Sequence, residues 1–271
     1  MSSPILNPND TLNGSLQGLK TIGQLGRGMT GEVYHLKGSE GKGRDFALKL
    51  FSPDPQIVGE NLDKLRERFL TEATALLNLD HRNIIHVLDA GEEDFNGKKC
   101  AYYLMEFCEN SLQDVSFAEI DQFCQAMRDI FAGLIYIHQR KIFHRDIKPS
   151  NIMLGKDRSF KISDFGFAKV DEELRKLLNI PKGESTMRGL IIGDPEYVAP
   201  EVLKGEPSDE RTDIFMLGRM LKKDLSSFFP DFITKSSTRV EINKKEVQEE
   251  FDNLIEKMIM EDPDERYQKI E

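Results

Sequence analysis

The chain has 271 residues, 39% of them hydrophobic and 31% charged, with a formal net charge of −10. That is enough chain for one large domain or two lobes around a real core, and the acidic balance argues against general nucleic-acid binding and against anionic membrane surfaces. No apolar run reaches the roughly 18 residues of a membrane span, the polar stretch from Met1 to Asn13 has no signal core, and Cys100, Cys108 and Cys124 show no metal-ligand spacing, which suggests a reducing, cytoplasmic compartment.

In chain order, residues 1–15 read as a loose, flexible leader. Leu25-Gly26-Arg27-Gly28-Met29-Thr30-Gly31-Glu32-Val33-Tyr34 then places glycines between apolar residues, the pattern of a hairpin. At its tip, Gly26, Gly28 and Gly31 let backbone N–H groups come close to phosphate oxygens. A plain glycine-rich turn is the other reading. A dinucleotide fold would need a helix straight afterwards, whereas Glu32 to Leu36 has the pattern of a strand. In the next strand, Asp45 to Phe51, Lys49 interrupts an apolar run, and a buried ammonium needs a carboxylate. Leu62 to Leu79 has helical periodicity through Leu62, Leu65, Phe69, Ala73 and Leu76. Glu72 lies near that face and Glu67 is the competing glutamate. Strands are expected over Ile85 to Ala90 and Ala101 to Met105.

A long amphipathic helix is expected from Phe117 to Arg140. It leads into Ile142-Phe143-His144-Arg145-Asp146-Ile147-Lys148-Pro149-Ser150-Asn151, where Pro149 stops any helix. These residues combine a carboxylate that could take a hydroxyl proton, cations for phosphate oxygens and an amide that could help hold magnesium. A solvated charged turn is the alternative for that stretch alone. The short strands Ile152 to Leu154 and Phe160 to Ile162 lead to Ser163-Asp164-Phe165-Gly166. A polar segment from Val170 to Ile192 follows, closing on Gly193-Asp194-Pro195-Glu196-Tyr197-Val198-Ala199-Pro200-Glu201. Further on come Thr212 to Gly218, a helix from Phe251 to Met260, and Asp262-Pro263-Asp264-Glu265-Arg266.

Taken together, these stretches resemble the eukaryotic-type (Hanks-type) serine/threonine protein kinase catalytic domain, from about Leu19 to Arg266. The stretch from His81 to Gly91 looks like bacterial members. The resemblance implies an α+β, bilobal protein kinase fold: a small antiparallel β-sheet lobe with one main helix, over 16–106, and a larger, mainly helical lobe over 107–271. It implies ATP and Mg2+ as cofactors and protein substrates with serine or threonine acceptors. Asp146 would be the catalytic acid/base, Lys148 would face the migrating phosphoryl group, and Lys49 would be held by Glu72. The nucleotide would contact Leu25, Gly26, Gly28, Gly31, Val33, Ala47 and Lys49, with Met105 as gatekeeper and the Glu106 and Cys108 backbones holding adenine. Asn151 and Asp164 would hold the metal. Arg145 would answer to phosphate on Ser185 or Thr186, and Glu201, Asp213 and Arg266 would be structural, Arg266 pairing with Glu201. A monomer that self-associates transiently for autophosphorylation is expected, without nucleic-acid or membrane partners.

One position departs from the family pattern. Asp194 stands where serine/threonine members usually carry threonine, and an ionised carboxylate there cannot donate a hydrogen bond to the catalytic acid. Asp194 could pair with Lys148, share a proton with Asp146 or turn to solvent, and the enzyme would be either active or partly inhibited. The inhibited outcome keeps a pseudokinase, a nucleotide-binding scaffold, as an alternative. A small-molecule kinase is a weaker rival, since such enzymes generally lack the segment closed by Ala199-Pro200-Glu201. The match is poor between Lys222 and Val247.

Overall fold

The structure is a computed structural model that describes residues 4–28, 31–38, 43–53, 62–165, 186–187, 190–191, 195–204, 206–228 and 244–270. The chain divides into two compact units, 1–108 and 109–271; the sequence reading put this division after Glu106. Among the described residues no helix is long and apolar enough to cross a membrane.

The first unit is an antiparallel five-stranded sheet with one helix. Strands β1 (Leu19–Arg27), β2 (Gly31–Gly38), β3 (Asp45–Phe51), β4 (Val87–Phe95) and β5 (Lys98–Glu106) lie in the order β1-β2-β3-β5-β4, and helix α1 (Leu62–Leu77) precedes β4. Register sorts the side chains, because residues paired across strands share a face and neighbours along a strand do not. Val33 pairs with Lys49 and Lys49 with Tyr103, while His35 pairs with Ala47 and Ala47 with Met105. These six therefore line one face. Phe69 of α1 packs there, its ring 5.4 Å from Phe51 and 5.5 Å from Tyr103. Tyr34, Leu36, Leu48, Leu50, Tyr102 and Leu104 form the opposite face and are buried.

That opposite face is covered by the segment expected to be a loose leader. Leu6, Leu12 and Leu16 are 2%, 5% and 2% exposed and belong to the same apolar cluster. The backbone also pairs with the free edge of β1: Asn9 N–H donates to Thr21 O at 2.8 Å, Thr21 N–H to Asp10 O at 2.8 Å and Leu12 N–H to Leu19 O at 2.9 Å. Burial of three leucines and the hydrogen bonds to β1 together offset the entropy of ordering this stretch, which its polar composition disguised. Other boundaries shift as well. β4 continues through Glu92, Glu93 and Asp94 to Phe95, past the expected end at Ala90, because an edge strand can turn charges to solvent. Leu62, expected on the inner face of α1, is 48% exposed at the helix start.

The second unit is mainly helical. A small sheet joins β6 (Asn110–Ser111), β7 (Ile152–Leu154) and β8 (Phe160–Ile162). Helix α2 (Ile120–His138) buries Phe123, Met127, Ile130, Leu134 and Ile137, a stripe at three- and four-residue spacing. Asp129 on that helix is buried but satisfied, accepting from Phe160 N–H at 2.9 Å and Gln125 Nε2 at 3.0 Å. The two-residue strands β9 (Thr186–Met187) and β10 (Leu190–Ile191) pair with each other. They precede α3 (Pro200–Lys204), α4 (Glu210–Phe228) and α5 (Lys244–Met258). Helix α5 starts at Lys244, well before the expected Phe251. Helix α4 is buried from Thr212 to Gly218 on every side, as befits the central helix of this unit. A Cβ on Gly218 would lie 2.7 Å from that of Met258, so glycine is what lets α5 approach.

Candidate active site

In the first unit, the β1–β2 hairpin is closed by Gly28 N–H donating to Gly31 O at 2.8 Å. A Cβ at Gly31 would stand 1.8 Å from Leu50 O, so close packing on β3 demands glycine. Among the described residues a Cβ on Gly26 or Gly28 would meet nothing within 4 Å, which leaves their backbone open to an approaching phosphate. Leu25 beside them is 52% exposed. On the inner face, Lys49 reaches over the Tyr103 ring with Nζ 5.7 Å from its centroid. Glu72 is in α1, but its side chain lies outside the described residues, so the Lys49–Glu72 pair does too; Glu67 points to solvent. Met105 stands opposite both Ala47 and Val87. Glu106 is held twice by His86, its N–H donating to His86 O at 3.0 Å and its Oε1 accepting from His86 N–H at 2.8 Å. Phe107 stacks on His35 at 4.1 Å, and Cys108 is buried.

In the second unit, the loop 142–151 is built around buried polar groups. Asn151 Nδ2 donates to both the backbone O and the Oδ2 of Asp146, each at 2.8 Å, and Lys148 Nζ lies 3.2 Å from the same Oδ2. Asp146 and Asn151 are 6% and 4% exposed. With the Asn151 amide nitrogen committed to Asp146, its amide oxygen is the atom left to face a cation. Ser163 N–H and Oγ both bond to Asn151 O, at 2.9 and 3.2 Å, which sets Asp164 next to Asn151. Asp164 is exposed in the left-handed region, at φ 54°. Among the described residues no group of three His, Cys, Asp or Glu side chains could hold a metal unaided. Two hard oxygen donors next to a phosphate do suit magnesium, which takes few protein ligands and keeps water and phosphate oxygens.

Asp213, fully buried on the first turn of α4, holds this loop from beneath. Its Oδ1 accepts from Arg145 N–H at 2.7 Å, and its Oδ2 from His144 N–H at 2.8 Å and His138 Nε2 at 2.7 Å. Arg145 is thereby kept at φ 62°, and its Nη2 reaches Ser208 O at 3.5 Å. His144 joins the two motifs. Its Nδ1 accepts from Asp146 N–H at 3.2 Å, so its proton is on Nε2, which donates to Ser163 O at 2.9 Å. Neither His138 nor His144 was assigned a role from sequence. His144 sits inside the loop motif, but nothing in the spacing points to His138.

Glu201 and Arg266 form a bidentate pair at 2.8 and 2.9 Å, and Thr212 Oγ1 adds a hydrogen bond to Glu201 at 2.8 Å. Arg266 also donates to the carbonyls of Met260, Glu261 and Arg211. Burial alone would push the Glu201 carboxyl up, but the Arg266 guanidinium and Thr212 hydroxyl hold it below the usual range. Ser185 and Asp194 lie outside the described residues, and Thr186 is described only as backbone in β9.

The protein kinase domain family matches residues 19–270. The chain belongs to that family. The serine/threonine-protein kinase PknB of Mycolicibacterium smegmatis is 30% identical over 261 residues, covering 90% of this kinase chain and 40% of its own. The serine/threonine-protein kinase PknD of Chlamydia abortus is 28% identical over 291 residues, covering 94% and 30%. The kinase chain thus spans well under half the length of these relatives. The PknI kinase domain of Mycobacterium tuberculosis superposes with TM-score 0.62 at 22% identity, covering 98% of this chain and 95% of that one. The apo form of PpkA-294 does so with TM-score 0.69 at 21%, covering 99% and 97%. The architecture is therefore the α+β protein kinase fold.

Proposed function

We propose that the chain transfers the γ-phosphoryl group of ATP to serine or threonine hydroxyls of protein substrates. The observation that carries this is the buried Asp146 carboxylate, bonded to Asn151 and Lys148 in a loop whose backbone is gripped by Asp213. Asp146 orients the acceptor hydroxyl and takes its proton at the carboxylate. Lys148, 3.2 Å from Asp146 Oδ2, neutralises charge on the group in flight, and Lys49 serves the α- and β-phosphates. Asn151 and Asp164 would hold magnesium, which supplies charge neutralisation between the phosphates when bound. The open backbone at Gly26 and Gly28, with Val33, Ala47 and Met105 on the inner face, suits the nucleotide, and the Glu106 and Cys108 backbones suit adenine. Arg145, whose Nε is buried without a hydrogen-bond partner among the described residues, suits a phosphate on Ser185 or Thr186. The protein would act as a cytoplasmic monomer that meets its own copies for autophosphorylation.

The test is transfer of labelled γ-phosphate from Mg-ATP to the chain itself and to a generic protein acceptor, beside Asp146→Ala. Loss of the acid/base alone removes about 10²–10⁴-fold in rate. Normal turnover in folded Asp146→Ala refutes the assignment. Asp194 keeps a second outcome in view: ATP bound by the parent but never transferred would make it a pseudokinase.

A further inference from the structure

The N-terminal segment does more than cover apolar surface. It crosses the whole outer face of the sheet in the first unit and is fastened at three places. At the β1 edge it forms the backbone bonds from Asn9, Thr21 and Leu12 described above, with a further bridge between Thr11 and Lys20. On the far side, Asn96 in the β4–β5 turn donates Nδ2 to Ile5 O at 3.0 Å and to Asp10 Oδ2 at 2.8 Å. Ser15 N–H and Oγ both reach Glu93 Oε1 at 3.1 Å, and Ser15 Oγ is 2.6 Å from the Tyr102 hydroxyl.

The third fastening is at the root of the glycine hairpin. Tyr34 OH accepts from Ile5 N–H at 2.9 Å and Leu6 N–H at 3.2 Å, and donates to Glu32 Oε2, which itself accepts from Ile5 N–H at 3.2 Å. Glu32 is 1% exposed. Its other oxygen, Oε1, has no hydrogen-bond donor among the described residues and lies 3.5 Å from Arg27 Nη1. Arg27 and Glu32 are the last pair of the β1–β2 ladder, directly below the Gly28–Gly31 turn. One buried carboxylate thus joins the segment on one side to the hairpin root on the other.

We propose that residues 4–16 are a brace in cis that sets the mobility of the glycine hairpin at its described residues 26–28 and 31, and through it the affinity for the nucleotide. Hairpin mobility falls when the Ile5 and Leu6 amides engage Tyr34 and Glu32, because Glu32 is then fixed in one rotamer facing Arg27. A segment that releases becomes a means of lowering nucleotide affinity without touching any residue of the phosphate-transfer loop. The affinity arm rests on the nucleotide assignment above; the mobility arm does not.

Two variants test this in the full chain. Tyr34→Phe keeps the ring in the core and removes only the hydroxyl. Asn96→Gly removes the far fastening at an exposed turn whose φ of 54° glycine accepts. Amide hydrogen exchange is read at residues 4–12 and at 24–28 with 31–34, and Mg-ATP binding by calorimetry. In both variants exchange should quicken in the segment and at the hairpin root together, and Mg-ATP affinity should fall about 2–10-fold, the reach of one or two neutral hydrogen bonds. If the segment loosens while hairpin exchange and Mg-ATP affinity stay at parent values, the segment is merely a cover and the brace is overturned. If the parent binds no Mg-ATP, the nucleotide assignment fails, and uncoupled exchange at the two sites still decides against the brace. Should Tyr34→Phe not fold, Asn96→Gly alone decides.

Discussion

Asp213→Asn isolates the hub beneath the candidate catalytic loop. The parent carboxylate accepts three hydrogen bonds of 2.7, 2.8 and 2.7 Å, from Arg145 N–H, His144 N–H and His138 Nε2, at a site with no solvent exposure. An asparagine has the same shape but only one acceptor oxygen, so its amide N–H₂ must face at least one of these donors. A buried donor left unpaired costs about 1–3 kcal/mol, and the bonds that remain lose their charge assistance. The expected loss is about 2–4 kcal/mol of stability. The Arg145 backbone, at φ 62°, is held in the left-handed region by the same carboxylate, so the turn relaxes when the grip weakens. A displacement of Asp146 by about 1 Å is worth about 10²-fold in rate. Because the chain has no tryptophan, urea unfolding is followed by circular dichroism at 222 nm, beside γ-phosphate transfer. An Asp213→Asn protein within about 0.5 kcal/mol of the parent and within threefold in kcat would refute the account of Asp213 as the support of the loop.

Glu201→Ala should cost about 3–5 kcal/mol, because it strands the Arg266 guanidinium, which is 2% exposed. A double cycle with Arg266→Met in urea should recover a large part of that loss, and simple additivity would contradict the pairing. Stability should be level between pH 5 and 9 and fall outside that range. On the acid side, burial opposes ionisation of Glu201 and Asp209, but Arg266 and Arg211 outweigh it and hold both carboxyls below their ordinary values of 4.5 and 3.8. The folded chain therefore binds protons less readily than the unfolded one, and the urea midpoint should drop as pH falls below about 4.5. On the alkaline side, burial first, then hydrogen bonds to carboxylates, push Tyr34, Tyr102 and Tyr197 up to about 12. Their contribution is present below pH 10 and is lost as the pH climbs towards 12. A midpoint unchanged at pH 3.5 and at pH 11 would refute both assignments.

What the amino-acid sequence determined by itself is local or ordered along the chain. Phosphate-transfer chemistry needs an acid, a cation and an amide within reach of one another, and the chain carries Asp146, Lys148 and Asn151 within six consecutive residues. Such a motif survives in one dimension, as does the order of glycine hairpin, Lys49, loop, Asp164 and Glu201, and these were sufficient for the family and the fold class. The three- and four-residue spacing of α2 and the apolar run of β3 were legible for the same reason: each is set within a few residues. The tertiary structure alone decided whatever depends on a partner far along the chain. Leu6, Leu12 and Leu16 have no helical or strand period, and the sheet face that buries them is made by residues as distant as Leu104. His138 looks like an ordinary helix end until Asp213, on another helix, supplies its acceptor. Glu32 looks like a strand-edge charge until Ile5 and Tyr34 enclose it. Burial and hydrogen-bond satisfaction are sums over neighbours in space, and a linear sequence fixes those neighbours only by folding.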